Sequence, residues 1–250
     1  MRFVVTKDYE EMSKTAADFV TREINKKPDM VVCFPTGGTP LRMYELLAEA
    51  NAKGRVDFSK LTVLSVDGYV GLPPEHENNF SYKLHKNLFN NCNFDPNKLL
   101  MMNSIAEDMD AECKRYTKLV KDVGGIDFLI DGIGENGHSA YNEPADYMKL
   151  GVHVDKISES TAKANSRFFK SIDEVPKYGI TLGIDSFVSA RKVLLLANGT
   201  RKAPAIARLV EENTVNPQFP VSFLKLARDV TVIIDTEAAG KHAAKLKGAC

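Results

Sequence analysis

The chain has 250 residues, 33 Lys and Arg against 33 Asp and Glu, a formal net charge of zero, and 44% hydrophobic residues. A chain of this length buries roughly 70–75% of its unfolded surface and needs no disulfide or metal staple. Neutrality without a basic run excludes the electrostatic footprint of a nucleic-acid or anionic-membrane partner, so any anion must be met by a few local groups. No apolar stretch approaches the ~20 residues of a transmembrane helix, and the start, Met1–Asp8, lacks the apolar core of a secretory signal. Cys33, Cys92, Cys113 and Cys250 form no CxxC pair and read as reduced thiols, which sets the expectation of a cytoplasmic protein. The five histidines show no ligand-like spacing with them, so no metal is expected.

In chain order, a first strand begins by residue 2, and residues 9–26 place Met12, Ala16, Phe19, Val20 and Ile24 on one helical stripe. Strand 30–34 follows, then a helix over 40–52 with Leu41, Tyr44, Leu47 and Ala48 as its apolar face. Strand 61–66, a helix over 108–122, strand 128–130, strand 193–197, a helix over 202–212 and strand 230–234 complete the series. The strands are short, aliphatic and apolar on both faces, as buried strands of a parallel sheet are. Their alternation with helices predicts a three-layer α/β/α fold, with a Rossmann-like, mostly parallel sheet and helices on both faces. With no linker or repeat, residues 1–250 read as one domain. Ligands in such sheets sit beyond the carboxyl ends of the strands, so the strand-exit loops are where chemistry is expected.

Three of those loops carry unusual residues. Pro35-Thr36-Gly37-Gly38-Thr39-Pro40 links a strand to a helix. Thr39 is expected to cap that helix, with Pro40 at its first position. Backbone amides there, with the Thr36 and Thr39 hydroxyls, make an anion site, though a well-capped tight turn explains the glycines equally well. It is not a Walker loop. Asp67 leaves strand 61–66; a carboxylate at the end of a buried strand is partly desolvated, which raises its pKa toward that of a useful base, whereas the bland alternative is an Asp-Gly turn. The third loop, Gly132-Ile133-Gly134-Glu135-Asn136-Gly137-His138-Ser139-Ala140-Tyr141-Asn142-Glu143-Pro144, joins an imidazole to amides and carboxylates. Glu143 is expected to orient His138 for acid/base work near neutrality. Arg167, beside Phe168 and Phe169, and Lys202, in Gly-Thr-Arg-Lys-Ala, would supply a guanidinium fork and an ammonium to a phosphate.

Taken together, the stretches Pro-Thr-Gly-Gly-Thr-Pro at 35–40, Asp-Gly-Tyr-Val-Gly-Leu-Pro at 67–73, Gly-Ile-Gly-Glu-Asn-Gly-His at 132–138, Asn-Glu-Pro at 142–144, Ala-Asn-Ser-Arg-Phe-Phe at 164–169, Val-Pro-Lys-Tyr at 175–178 and Arg-Lys-Ala at 201–203 resemble the glucosamine-6-phosphate deaminase (glucosamine-6-phosphate isomerase) family. Each motif alone is weak, but the ordered set spans nearly the whole chain. The resemblance implies cofactor-free conversion of D-glucosamine 6-phosphate to D-fructose 6-phosphate and ammonia. It implies that Asp67 takes the C2 proton and returns it at C1, that His138 relays a proton in ring opening with Glu143 as its partner and Asn136 as an auxiliary, and that Thr36, Gly37, Gly38, Thr39, Arg167 and Lys202 cradle the phosphate. The implied partner is a small amino sugar phosphate. Relatives include monomers and hexamers, which leaves a homo-oligomer open.

The sequence also departs from the family. Gly68 stands where most relatives carry glutamate, which removes a charge beside Asp67. Residues 145–156 lack the Ser/Arg-rich stretch through which some members bind an allosteric N-acetylated sugar phosphate, so a form not activated that way is expected. Galactosamine-6-phosphate deaminase and a weakly active phosphosugar binder stay open as alternatives. 6-Phosphogluconolactonase fits less well, since it is not expected to keep the Asn-Glu-Pro and Ala-Asn-Ser-Arg-Phe-Phe segments. A sugar-sensing DNA regulator would need a further module, for which the early first strand leaves no room.

Overall fold

A computed structural model of the chain describes residues 1–247; Cys250 lies outside them. The strands are β1 (Arg2–Thr6), β2 (Val31–Phe34), β3 (Thr62–Ser65), β4 (Asp67–Tyr69), β5 (Leu99–Leu100), β6 (Phe128–Gly132), β7 (His153–Lys156), β8 (Tyr178–Thr181), β9 (Lys192–Ala197) and β10 (Val230–Asp235). Between them run α1 (Tyr9–Lys26), α2 (Leu41–Ala52), α3 (Phe80–Asn87), α4 (Met109–Asp122), α5 (Glu159–Asn165), α6 (Ile184–Ser189), α7 (Ala203–Glu211), α8 (Thr236–Ala239) and α9 (Ala243–Lys247). Seven strands form one sheet in the order β1-β10-β9-β6-β2-β3-β5. Every pairing in it is parallel. The chain winds outward from β2 through β3 to β5, then resumes at β6 on the other side of β2. The strand order therefore reverses between β2 and β6, where a crevice opens at the carboxyl ends.

The three layers follow from apolar residues on both sides of each strand. In β2, Val31 and Cys33 join one core with Tyr116 of α4, Phe187 of α6 and Ile206 of α7. Val32 and Phe34 join the opposite core with Phe19 and Ile24 of α1, Tyr44 and Leu47 of α2 and Leu84 of α3. Helix starts obey local chemistry: Asp8 accepts the Glu11 amide at 2.9 Å, and Asp108 accepts that of Ala111 at 2.9 Å, satisfying amides that have no partner inside the helix. The stripe expected on α1 is wholly buried. On α2 the buried residues are Met43, Tyr44, Leu47 and Ala50, while Leu41 is exposed. The buried face is centred on Met43, Leu47 and Ala50, which leaves Leu41 and Ala48 of the expected stripe at its edge.

A second, antiparallel sheet, β4-β8-β7, was outside the sequence expectation. Asp67 does not end β3: the strand stops at Ser65, and after Val66 the chain re-forms as β4 in the small sheet. The small sheet packs through Tyr69, Tyr141, Ile157 and Val175 and roofs the crevice. The junction is pinned by the buried Tyr116, whose hydroxyl donates to the Leu100 carbonyl at 2.6 Å and accepts from the Ser65 amide at 2.8 Å. Removing it strands the Ser65 amide and the Leu100 carbonyl inside the protein. Tyr116→Phe is expected to lower unfolding free energy by about 1–3 kcal/mol, read from urea denaturation, with the far-ultraviolet circular dichroism of the native state unchanged.

Candidate active site

Beyond the carboxyl ends of β2, β6 and β9 lies a cavity of about 610 Å³. Its floor is the β2 exit loop. Gly37 has φ +100°, a conformation that glycine adopts without strain, and nothing stands within 4 Å of where its Cβ or that of Gly38 would be. Two expectations here are corrected. Thr39 does not cap α2; its hydroxyl donates across the cavity edge to Asn198 Oδ1 at 2.7 Å. Pro40 occupies the cap position rather than the first helical one, with no side-chain cap bond. The loop is instead braced by Tyr9, whose hydroxyl donates to the Gly38 carbonyl at 3.2 Å and accepts from the Arg42 amide at 3.2 Å. Gly37, Gly38 and Thr39 line the cavity, and their amides have no acceptor among the described residues.

Cations gather on one side. Lys202 closes a short turn, Thr200–Lys202, just before α7. Burial pulls its ammonium below the usual lysine range, against the attraction of Glu135, and Arg167 adds like-charge repulsion. Arg167 is exposed at the rim, its guanidinium 4.8 Å from the centre of the Phe168 ring. The same side holds a cation that the sequence reading passed over: Lys83, with its ammonium 4.4 Å from the same ring. Burial lowers its pKa to about 8, with Glu77 opposing and Arg167 assisting. The buried Asn79 fixes it by capping α3, accepting the Ser81 amide at 2.9 Å while donating to the Leu72 carbonyl at 2.9 Å.

Carboxylates gather elsewhere in the cavity. Asp67 lines it from the start of β4, and burial first, then the nearby Asp131, pushes its pKa well above the carboxylate range. Asp131 was also passed over by the sequence reading, although it ends a buried run as Asp67 does. It is 3% exposed, accepts the Ser139 hydroxyl, and burial pushes its pKa up to about 7 despite that bond and another from the Gly132 amide. Neither aspartate has an ion-pair partner among the described residues.

His138 lines the cavity, and behind it stands a polar relay. Its Nδ1 lies 3.1 Å from the Thr161 hydroxyl and 3.6 Å from Glu143 Oε2. Glu143 thus stands beside the imidazole at ion-pair distance, while the Thr161 hydroxyl is its hydrogen-bond partner. The same oxygen accepts from Asn136 Nδ2 at 2.9 Å and from the Ser158 hydroxyl at 3.0 Å. Asn136 in turn accepts the His138 amide at 3.0 Å. Neither Asn136 nor Glu143 lines the cavity; both stand behind the imidazole. A Cβ on Gly134 would overlap the His138 ring, and one on Gly137 (φ +86°) the Phe219 ring, so both glycines are required where they stand. Burial lowers the pKa of His138, with Glu143 opposing and Lys202 reinforcing. Sequence alone could not find Thr161 and Ser158, since they arrive from α5 and its cap. No group of three or more His, Cys, Asp or Glu side chains among the described residues is arranged to hold a metal ion.

Residues 7–233 match the family of glucosamine-6-phosphate isomerases and 6-phosphogluconolactonases. The chain is 40% identical over 239 residues to a glucosamine-6-phosphate deaminase of Clostridium perfringens (strain 13 / Type A), covering 96% of this chain and 98% of that one. It is 42% identical over 239 residues to one of Thermoanaerobacter sp. (strain X514), covering 96% and 94%. Among solved structures, a monomeric glucosamine-6-phosphate deaminase superposes with a TM-score of 0.93 at 38% identity, over 96% of this chain and 99% of that one. A 6-phosphogluconolactonase from Thermotoga maritima shares the fold at a TM-score of 0.74 and 16% identity, over 94% and 99%.

The geometry around His138 makes a titration prediction. A group whose charged form is disfavoured by burial titrates below its ordinary value, and removing a stabilising anion depresses it further. By NMR, the His138 imidazole is expected to titrate below 6.5, and Glu143→Gln is expected to move it lower still. A rise in the variant would contradict this.

Proposed function

This chain belongs to the family of glucosamine-6-phosphate isomerases and 6-phosphogluconolactonases, and within it we propose a deaminase that converts D-glucosamine 6-phosphate and water to D-fructose 6-phosphate and ammonia. The observation that carries this reading is one cavity holding a desolvated carboxylate, a neutral imidazole and a cation-flanked anion loop. An aldose–ketose isomerisation needs those three together. The protein is an enzyme of amino sugar metabolism, and no described helix is long and apolar enough to cross a membrane. We read it as a single-domain cytoplasmic protein, which its free, largely buried Cys33 and Cys113 suit.

The phosphate binds at the amides of Gly37 and Gly38, with Thr36 and Thr39, and is neutralised by Lys202 and Arg167. A partly desolvated ammonium gains most from an arriving dianion, because its own hydration has already been lost. The phosphate does no chemistry; it lends binding energy to place C1 and C2 against the acid/base groups.

His138 acts first. An Nδ1–H directed between Thr161 and Glu143 leaves Nε2, which has no partner among the described residues, as a free acceptor. It takes the anomeric hydroxyl proton while the ring oxygen gains one, and the pyranose opens. Glu143 and Asn136 act through the imidazole as positioning residues. Asp67 then removes the proton from C2 and returns it to C1. C1 is reduced from aldehyde to alcohol as C2 is oxidised to an iminium, so no external redox partner enters. Water adds at C2 and ammonia departs. The raised pKa of Asp67 serves this step, since the strength of a general base grows as its pKa approaches the working pH.

Ammonia and ketose phosphate release from glucosamine 6-phosphate tests the reading; binding without turnover would overturn it. Asp67→Asn is expected to lower kcat by about 10²–10⁴-fold while sugar phosphate still binds. Because the base must be ionised, kcat/KM is expected to fall as pH drops through the raised Asp67 pKa, giving an acid limb well above the ordinary aspartate value of ~3.9.

A further inference from the structure

The deaminase chemistry uses Asp67 and leaves Asp131 without a task, although the two carboxylates adjoin in the same cavity. Burying an acid costs free energy unless something compensates it, and the protein compensates Asp131 only with the Ser139 hydroxyl and the Gly132 amide. Apolar residues flank it on β6: Leu129 and Ile130 are fully buried, and in the ladder Asp131 stands level with Leu195 of β9. An aliphatic residue would suit that position for packing alone.

Two features say what the carboxylate meets. Lys83 and Arg167 stand over one Phe168 ring, 4.4 and 4.8 Å from its centre, and Lys202 enters from the turn before α7, whereas Asp67 and Asp131 enter from β4 and β6. The cavity is therefore polarised, with an anion-binding end and a cation-seeking end. Its substrate class has the same polarity: a phosphate on C6, an ammonium on C2. Asp67 must reach the C2 proton, so a carboxylate beside Asp67 is within reach of the other substituent on that carbon.

We propose that Asp131 is the specificity-determining residue that receives the C2 ammonium of the substrate, held in place by Ser139 and standing beside the base Asp67. This rests on the deaminase reading of the cavity. A 2-hydroxy sugar phosphate offers the site no cation, and leaves two adjacent carboxylates to repel one another or keep a proton between them. The ammonium relieves that repulsion, so both carboxylates are ionised when the amino sugar is bound, which is the state Asp67 needs. Selection for nitrogen and activation of the base become one event. The Ser139 hydroxyl and the Gly132 amide do not exhaust the acceptor capacity of a carboxylate, which leaves lone pairs for the ligand.

The test compares two unreactive open-chain ligands by isothermal titration calorimetry: 2-amino-2-deoxy-D-glucitol 6-phosphate and D-glucitol 6-phosphate, which differ only in the C2 group. The unmodified protein is expected to bind the amine about tenfold more tightly, the strength of a charged hydrogen bond. Asp131→Asn is expected to abolish that preference while binding the neutral ligand within about twofold of the unmodified protein, which also reports that the variant is folded. Asp67→Asn is expected to keep the preference. Equal affinity of the unmodified protein for both ligands, or a preference that survives Asp131→Asn, would overturn the assignment. Ammonia release by a protein that binds both ligands equally would remove this inference and leave the deaminase standing; a protein that binds neither would remove both.

Discussion

Asp67 and Asp131 line one cavity with no ion-pair partner among the described residues, and burial raises the pKa of both. Desolvation of this pair governs the rest of the site. It makes Asp67 a strong enough base for a carbon acid, and it obliges the protein to bring the neutralising charge with the substrate. The same desolvation acts with opposite sign on the cations. Lys83 and Lys202 lose affinity for their protons as they lose water, and both gain most when a phosphate arrives. A molecule with no net charge thereby holds a steep local dipole, aligned with a substrate that is anionic at one end and cationic at the other.

The fold supplies this arrangement at the reversal of strand order. β2 and β6 are hydrogen-bonded neighbours, so the anion loop after β2 and the glycine-rich loop after β6 leave the sheet side by side. The main sheet alone would leave them open to water. The small sheet supplies the cover: β3 stops at Ser65, the chain bends at Val66, and Asp67 enters the cavity at the first residue of β4. Tyr69, Tyr141, Phe80 and Phe169 pack around one another in this roof, with ring centres 4.9–5.9 Å apart among the pairs formed. An aromatic roof keeps the dielectric low over the carboxylates, which strengthens every charge interaction beneath it.

Much of this was legible in the sequence. Apolar runs on both faces identified β2, β3, β6, β9 and β10 and hence the parallel sheet, because burial on both sides needs nothing beyond local composition. The residues singled out for the site fell within strand-exit loops rich in glycine and polar side chains, which stand out against the apolar runs before them. The small sheet was not legible, since β7 and β8 have mixed polarity and pair only after the main sheet has brought them together. The cap assigned to Thr39 failed because Asn198, 159 positions away, competes for its hydroxyl. Thr161 and Ser158, which stand between His138 and Glu143, are invisible in sequence for the same reason. Lys83 looks like an ordinary surface lysine until Asn79 turns α3 over the cavity. Asp131 carried the same signal as Asp67, a carboxylate ending a buried run, but sat inside the strand where packing hides it.

The orientation of the substrate along this dipole is open to direct observation. In a crystal structure with 2-amino-2-deoxy-D-glucitol 6-phosphate, we expect the phosphate within hydrogen-bond distance of the Gly37 and Gly38 amides and Lys202, and C2 in contact with the Asp67 carboxylate. A phosphate bound away from the β2 exit loop, or a C2 atom remote from Asp67, would contradict the assignment of the two ends.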